Sequence, residues 1–199
     1  MLRQRPIIMV SSTVYYQESF LDQVFAALEI FGYTVWMSHA GTLPVNPGLS
    51  NFQNCLRAVD ACQGFLGIIS GRYGSGKEQV GKSITHMEMD RAMSVGKPAW
   101  FLVHHDVVVS RQILRQFKPN PRSVRWGFPF EPTSVLEDLR VLEMYEKAMQ
   151  NAVPLQDRRG NWVQEFFYSH EALRFVEAQF SDKTRVLSLL RRRRNRRHT

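Results

Sequence analysis

A doubly wound, parallel α/β sheet is the fold class the sequence predicts, and three observations carry that prediction. Short apolar runs alternate with segments of helical periodicity; within the runs the apolar residues are consecutive; and glycine or a small hydroxyl residue closes most segments. Consecutive apolar positions mark strands covered on both faces, and strand–helix alternation at this spacing implies right-handed βαβ units.

The elements follow in order. PIIMVSS (6–12) is the first strand, ending in small hydroxyls. From about Ser19 a helix presents Phe20, Val24, Ala27, Leu28 and Phe31 on one face, and Gly32 supplies its left-handed stop. YTVWM (33–37) is the second strand, and the loop SHAGTLPVNPGLS leads to Ser50 as the N-cap of a helix bearing Phe52, Cys55, Leu56 and Val59. GFLGIIS (64–70) is the third strand, followed by the glycine-rich GRYGSGKEQVGKS, a helix from about Thr85 to Val95, and a fourth strand from Pro98 to Val103. These elements suit the flavodoxin-like order 2-1-3-4 in a sheet of four or five strands.

Beyond residue 117 the pattern becomes helical. Ser134 with Glu137 reads as a capping box opening a helix with Val135, Leu139, Leu142 and Tyr145 on one side, and a second helix is expected from Trp162 to Phe180. The stretch 117–133, with four prolines, is an irregular connector. The expected division is an α/β domain over 1–117, a helical extension packed on it over 118–190, and a disordered basic tail over 191–199.

With 199 residues, 44% of them hydrophobic, the chain can bury one core. Its net charge of +8 suggests nucleic acid until the charge is located. Six arginines sit in the tail, at Arg191, Arg192, Arg193, Arg194, Arg196 and Arg197, so the body is close to neutral. Such a block is either a solvated arm or a sequence-blind contact for nucleic acid and other polyanions. Cys55 and Cys62 are seven apart, on one helical face, and suit buried thiols in a reducing compartment. No apolar run approaches the roughly 18 residues of a membrane helix, and the N-terminal run is too short for an export signal. A cytoplasmic protein without membrane contact is expected, with no metal and no resident cofactor.

In a doubly wound sheet, ligands bind outside the carboxyl ends of the strands where the order reverses, here strands one and three. Both unusual loops leave those strands: Ser11, Ser12 and Thr13 after the first, and Ser70, Tyr73 and Gly74 after the third. Hydroxyls and glycines there let backbone approach a sugar or phosphate, although the same residues serve as plain turn formers. Gly71 to Lys77 fits Gly-x-x-x-x-Gly-Lys, but Glu78 stands where a nucleotide-binding loop needs its magnesium-binding hydroxyl. Glu88, one turn into its helix, can point into the crevice and act on a glycosidic bond, or it can close a capping box with Thr85. His86 is a candidate acid or base beside it. His104, His105 and Asp106 superficially suggest a metal, but adjacent residues of an extended segment point to opposite sides.

VSSTVYY, GYTVWMSHAGTLPV, SNFQNCLRAVDAC, GFLGIISGRYGSG, SITHMEMDRAM and KPAWFLVHHDVVVSRQIL occur in this order over residues 6–117. Together they resemble the domain-of-unknown-function family 4062, which is similar in fold pattern to TIR domains and nucleoside deoxyribosyltransferases. The resemblance implies an N-glycosidase or glycosyl transferase acting on NAD, a nucleotide or a nucleoside, with Glu88 as the catalytic carboxylate. It implies sugar and phosphate contacts from the loops at Ser11 to Thr13 and Ser70 to Gly74. Members also occur in bacterial defence and scaffold proteins, which implies a phage-defence effector or, alternatively, a non-catalytic nucleotide sensor or protein-interaction module. A homo-oligomer stays open. Two departures stand out: Tyr16 and Gln63 occupy positions where many members carry Asp.

Overall fold

The computed structural model describes residues 5–13, 18–74, 81–118, 120, 126–158 and 161–195, with backbone alone at 161 and 192–195. Five parallel strands form one sheet in the order β2-β1-β3-β4-β5. They are β1 (Ile7–Ser12), β2 (Thr34–Trp36), β3 (Gly64–Ile69), β4 (Ala99–His104) and β5 (Asn161–Phe166). This is the flavodoxin-like arrangement, with the order reversing beside β1. Every residue of β3 is buried, as its uninterrupted apolar run requires of a strand with neighbours and helices on all sides.

Alternate side chains of these strands feed two cores. Met9, Phe65, Ile69, Phe101 and Val103 face the helices α2 (Asn51–Ala61), α3 (Ile84–Ser94), α4 (His105–Leu114) and α5 (Arg140–Ala148). Ile8, Val10, Leu66, Ile68 and Leu102 face α1 (Glu18–Ile30), α6 (Ser169–Phe180) and α7 (Lys183–Asn195). Gly32 stops α1 at φ +87, as the sequence indicated. Ser50 likewise caps α2, in a full capping box with Gln53. Among the described residues no helix is long and apolar enough to cross a membrane.

The C-terminal third differs from expectation. Residues 161–166 form a strand rather than the first turns of a helix, and β5 pairs with β4 from Ala99↔Asn161 to His104↔Phe166. The stretch expected to be a separate helical extension, 118–190, therefore supplies the sheet's edge strand β5 instead of packing on a finished domain. The helix after the connector begins at Arg140, not Ser134. Thr133 closes a turn there by accepting from the Leu136 backbone N–H at 2.9 Å, and Glu137 is used elsewhere. The basic run is helical through Asn195, so the expectation of a disordered tail fails for 191–195; Arg196 and Arg197 lie outside the described residues.

The 135–137 segment docks on the end of β3. Glu137 N–H donates to the Gly71 carbonyl at 2.8 Å, and the Glu137 carboxylate accepts from Tyr73 N–H at 2.8 Å. A Cβ on Gly71 would stand 1.8 Å from the Val135 carbonyl oxygen, which is backbone and cannot rotate away. Gly71→Ala should therefore push the two segments apart and cost about 2 kcal/mol or more, read as a lowered urea midpoint at unchanged slope.

Candidate functional site

The carboxyl ends of β1 and β3 meet the start of α3. Ser83 caps that helix, its hydroxyl accepting from His86 N–H at 3.3 Å. The capping acceptor is therefore not Glu88, and Thr85 instead turns its hydroxyl toward the Ser12 carbonyl, 3.5 Å away. Released from capping, the Glu88 side chain reaches β1, where the Ser11 hydroxyl donates to its Oε2 at 2.5 Å. The Cys55 thiol of α2 is a second donor to the same carboxyl. Burial pushes the Glu88 carboxyl up to about 7, while the bonds from Ser11 and Cys55 pull the other way. Burial and the adjoining Glu88 also push the Cys55 thiol up to about 12, so it stays a neutral donor.

Above this carboxylate opens a cavity of about 550 Å³. Its lining takes Ser12 and Thr13 from the end of β1, Thr85 and Glu88 from α3, Asn51, Asn54 and Cys55 from α2, and Ser38, Gly41, Leu43 and Val45 from the segment after β2. Gly74, Ile84 and Glu18 complete the lining. Gly74 sits at φ +88, and a Cβ there would come within 2.9 Å of Thr13 Cγ2, so only glycine lets the β3 loop approach β1 this closely.

Of the residues singled out from sequence, Ser12, Thr13, Gly74 and Glu88 line the cavity together. Ser11 lies beneath, as the holder of Glu88. Ser70 is likewise a support, its hydroxyl 2.9 Å from that of Thr13, tying the ends of the two strands. Tyr73 and His86 do not line it. The Tyr73 hydroxyl meets His86 Nδ1 at 2.8 Å, His86 Nε2 lies 3.7 Å from Asp90, and the Arg140 guanidinium covers the tyrosine ring. Burial drives the His86 pKa down to about 4 against the pull of Asp90. A neutral, enclosed imidazole turned to Tyr73 is structural, which corrects the expectation that it assists Glu88.

The sequence reading missed the α2 wall and the 38–45 segment. A signal existed, because a polar loop leaving β2 must also emerge at the carboxyl edge. Asn54 pins that loop, accepting from Asn46 N–H at 2.9 Å and donating to the Asn46 carbonyl at 3.1 Å. Gln63 lies at the opposite edge of the sheet, bonded to Ile7, so the departure there does not touch the cavity; Tyr16, Lys77 and Glu78 lie outside the described residues. His105 pairs with Glu165 at 2.6 Å, while His104 Nδ1 accepts from Asp106 N–H at 3.3 Å. Among the described residues no group of three or more metal-ligating side chains forms. Arg191 is exposed on α7 and away from the cavity lining.

A family model described as a domain of unknown function (DUF4062) matches residues 7–157. The chain belongs to this family. No curated protein matches the DUF4062 chain. Among solved structures it is similar to the metal-soaked Flv1 flavodiiron core from Synechocystis sp. PCC6803, at 9% identity and a TM-score of 0.41. That match covers 94% of the DUF4062 chain but spans only 37% of the flavodiiron chain. Nothing about the cavity is carried over from so distant a likeness.

The buried Glu88 makes stability in this DUF4062 chain depend on pH. The folded state keeps the proton up to about 7, whereas the unfolded chain releases it near 4.5. A raised carboxyl pKa means that stability falls as pH rises from about 4.5 to 7 and then levels off. Glu88→Gln removes this term. Relative to wild type it should gain about 2 to 3 kcal/mol between pH 5 and pH 8, measured by urea unfolding at both values.

Proposed function

We propose that the cavity takes a nucleotide-type small molecule, NAD or a nucleoside among them, and that Glu88 acts on its N-glycosidic bond by hydrolysis or transfer. The observation that supports this best is a buried carboxylate at the base of an open cavity, oriented by Ser11 and not consumed by its own helix cap. Breaking an N-glycosidic bond leaves positive character on the anomeric carbon. A carboxylate facing it across the cavity stabilises that charge or attacks the carbon directly. Ser12 and Thr13 offer hydroxyls to the sugar, and Leu43, Val45 and Ile84 offer apolar contact to a base.

A role as an effector in bacterial phage defence is proposed on family resemblance alone. The second reading, a non-catalytic nucleotide sensor or interaction module, is favoured by one observation: among the described lining residues there is no histidine or lysine, and Glu18 and Glu88 are the acids left to move a proton. Incubation of the full chain with NAD, NADP and nucleosides, with released base followed by chromatography, separates the two. For the catalytic reading, Glu88→Gln should lower base release by about two to three orders of magnitude, as loss of one transition-state contact does. The rate should rise through about pH 7 as the carboxyl ionises. Tight binding of a panel member without base release would select the sensor.

The arginine run of 191–197 is proposed to add salt-sensitive contact with polyanions, nucleic acid included. Deleting residues 191–199 should abolish binding to mixed-sequence DNA at low salt while leaving the urea midpoint nearly unchanged; equal binding by the shortened chain would exclude the run.

A further inference from the structure

Two carboxylates share the cavity. Glu88 lies at its base, and Glu18, the first residue of α1, stands exposed at its rim. Among the described residues no hydrogen bond engages the Glu18 carboxylate, and no lysine, arginine or histidine joins the lining to neutralise either acid. We infer that the cavity selects a nucleoside with free sugar hydroxyls over its 5′-phosphorylated counterpart, and that Glu18 is the selecting residue. This rests on the reading of the cavity as a site for an N-glycoside.

The chemistry of the two groups sets the preference. An ionised carboxylate only accepts hydrogen bonds; a free 5′-hydroxyl donates one to it, whereas the phosphate ester that replaces that hydroxyl has no such hydrogen to give. An ionised phosphate brings further acceptors and negative charge to a site that already holds Glu18 and, once its proton is lost above about pH 7, Glu88. Its repulsion inside a partly enclosed cavity is stronger than in bulk water.

The opposing consideration is that helix starts attract anions, and α1, α2 and α3 all begin at this cavity. Each start already has an acceptor or a negative charge of its own. Ser50 and Gln53 close a capping box on α2, Ser83 caps α3, and Glu18 places a negative charge in the first turn of α1. On α3 the side chain of Glu88 adds a further carboxyl one turn in. The electrostatic advantage that a bare helix start would give a phosphate is thus offset by groups of the chain itself.

The test uses the full chain, the common ribonucleosides, nicotinamide riboside and the 5′-monophosphate of each, with affinities from calorimetry. For whichever base binds, the nucleoside should bind at least about tenfold more tightly than its monophosphate at low salt, with the gap narrowing as salt screens the repulsion. Glu18→Gln should bring the two within about threefold, weakening the nucleoside and strengthening the phosphate, with little change in melting temperature; Glu18→Asp should keep the order of wild type. Monophosphates that bind as tightly as nucleosides, or a ratio that Glu18→Gln leaves untouched, would overturn the inference. If such monophosphates still lose their base in a Glu88-dependent way, the glycosidic reading stands without it. If no nucleoside and no nucleotide binds wild-type protein, both readings fall.

Discussion

Burial of the Glu88 carboxyl under the Ser11 hydroxyl is the constraint on which the rest of the site depends. The bond joins β1 to α3, and the Cys55 donor joins α2 to both, so three elements distant in sequence converge on one side chain. The chain holds another buried acid, and the contrast is informative. Glu146, 1% exposed, faces both Arg111 and Lys118, so its charge is matched by cations. Glu88, 5% exposed, has among the described residues only the neutral donors Ser11 and Cys55 bonded to it. A buried carboxylate without a cation beside it works against stability, and groups perturbed in this way cluster at functional sites.

The sheet was legible because its signal is short-range. The apolar runs of β1, β3 and β4, the Ser50 cap and the Gly32 stop each depend on a few neighbouring residues, and the structure keeps all of them. β5 was not legible for a physical reason. Its residues 162–166 are half solvent-facing at a sheet edge, with Trp162 66% exposed and Phe166 buried, so the run carries neither the continuous apolarity of an interior strand nor a clean alternation. Its aromatic content merged with that of α6. The Ser134 pattern misled because an apparent capping box needs the helix to start there, and Glu137 is instead drawn to Tyr73 N–H by the docking on β3.

The candidate site was legible by position more than by residue. Topology alone placed it at the carboxyl ends of β1 and β3, and Ser12, Thr13, Gly74 and Glu88 follow from that. The roles of Ser11 and Ser70 as supports could not be read, because a one-residue step along a strand decides whether a hydroxyl faces the cavity or the layer beneath. His86 shows the same limit on a helix. Two residues before Glu88, it lies on another face of α3 and is taken up by Tyr73.

The family match ends at residue 157, but the geometry of the cavity does not. Glu18 opens α1, and α1 packs against α6, which lies wholly beyond the match. Phe20 of α1 meets Phe166 of β5 with ring centroids 5.5 Å apart, and Trp100 of β4 meets Phe180 at 4.8 Å. The turn that ends α1 is fastened from the same side, since the Tyr33 hydroxyl donates to the Phe180 carbonyl at 2.9 Å and Lys183 donates to the Gly32 carbonyl at 2.7 Å. These contacts hold the helix whose first residue forms the cavity rim, on the face of the sheet opposite α2 and α3. The last forty or so residues thus do for α1 what the Ser11–Glu88 bond does for α3: each fixes the backbone on one side of the opening.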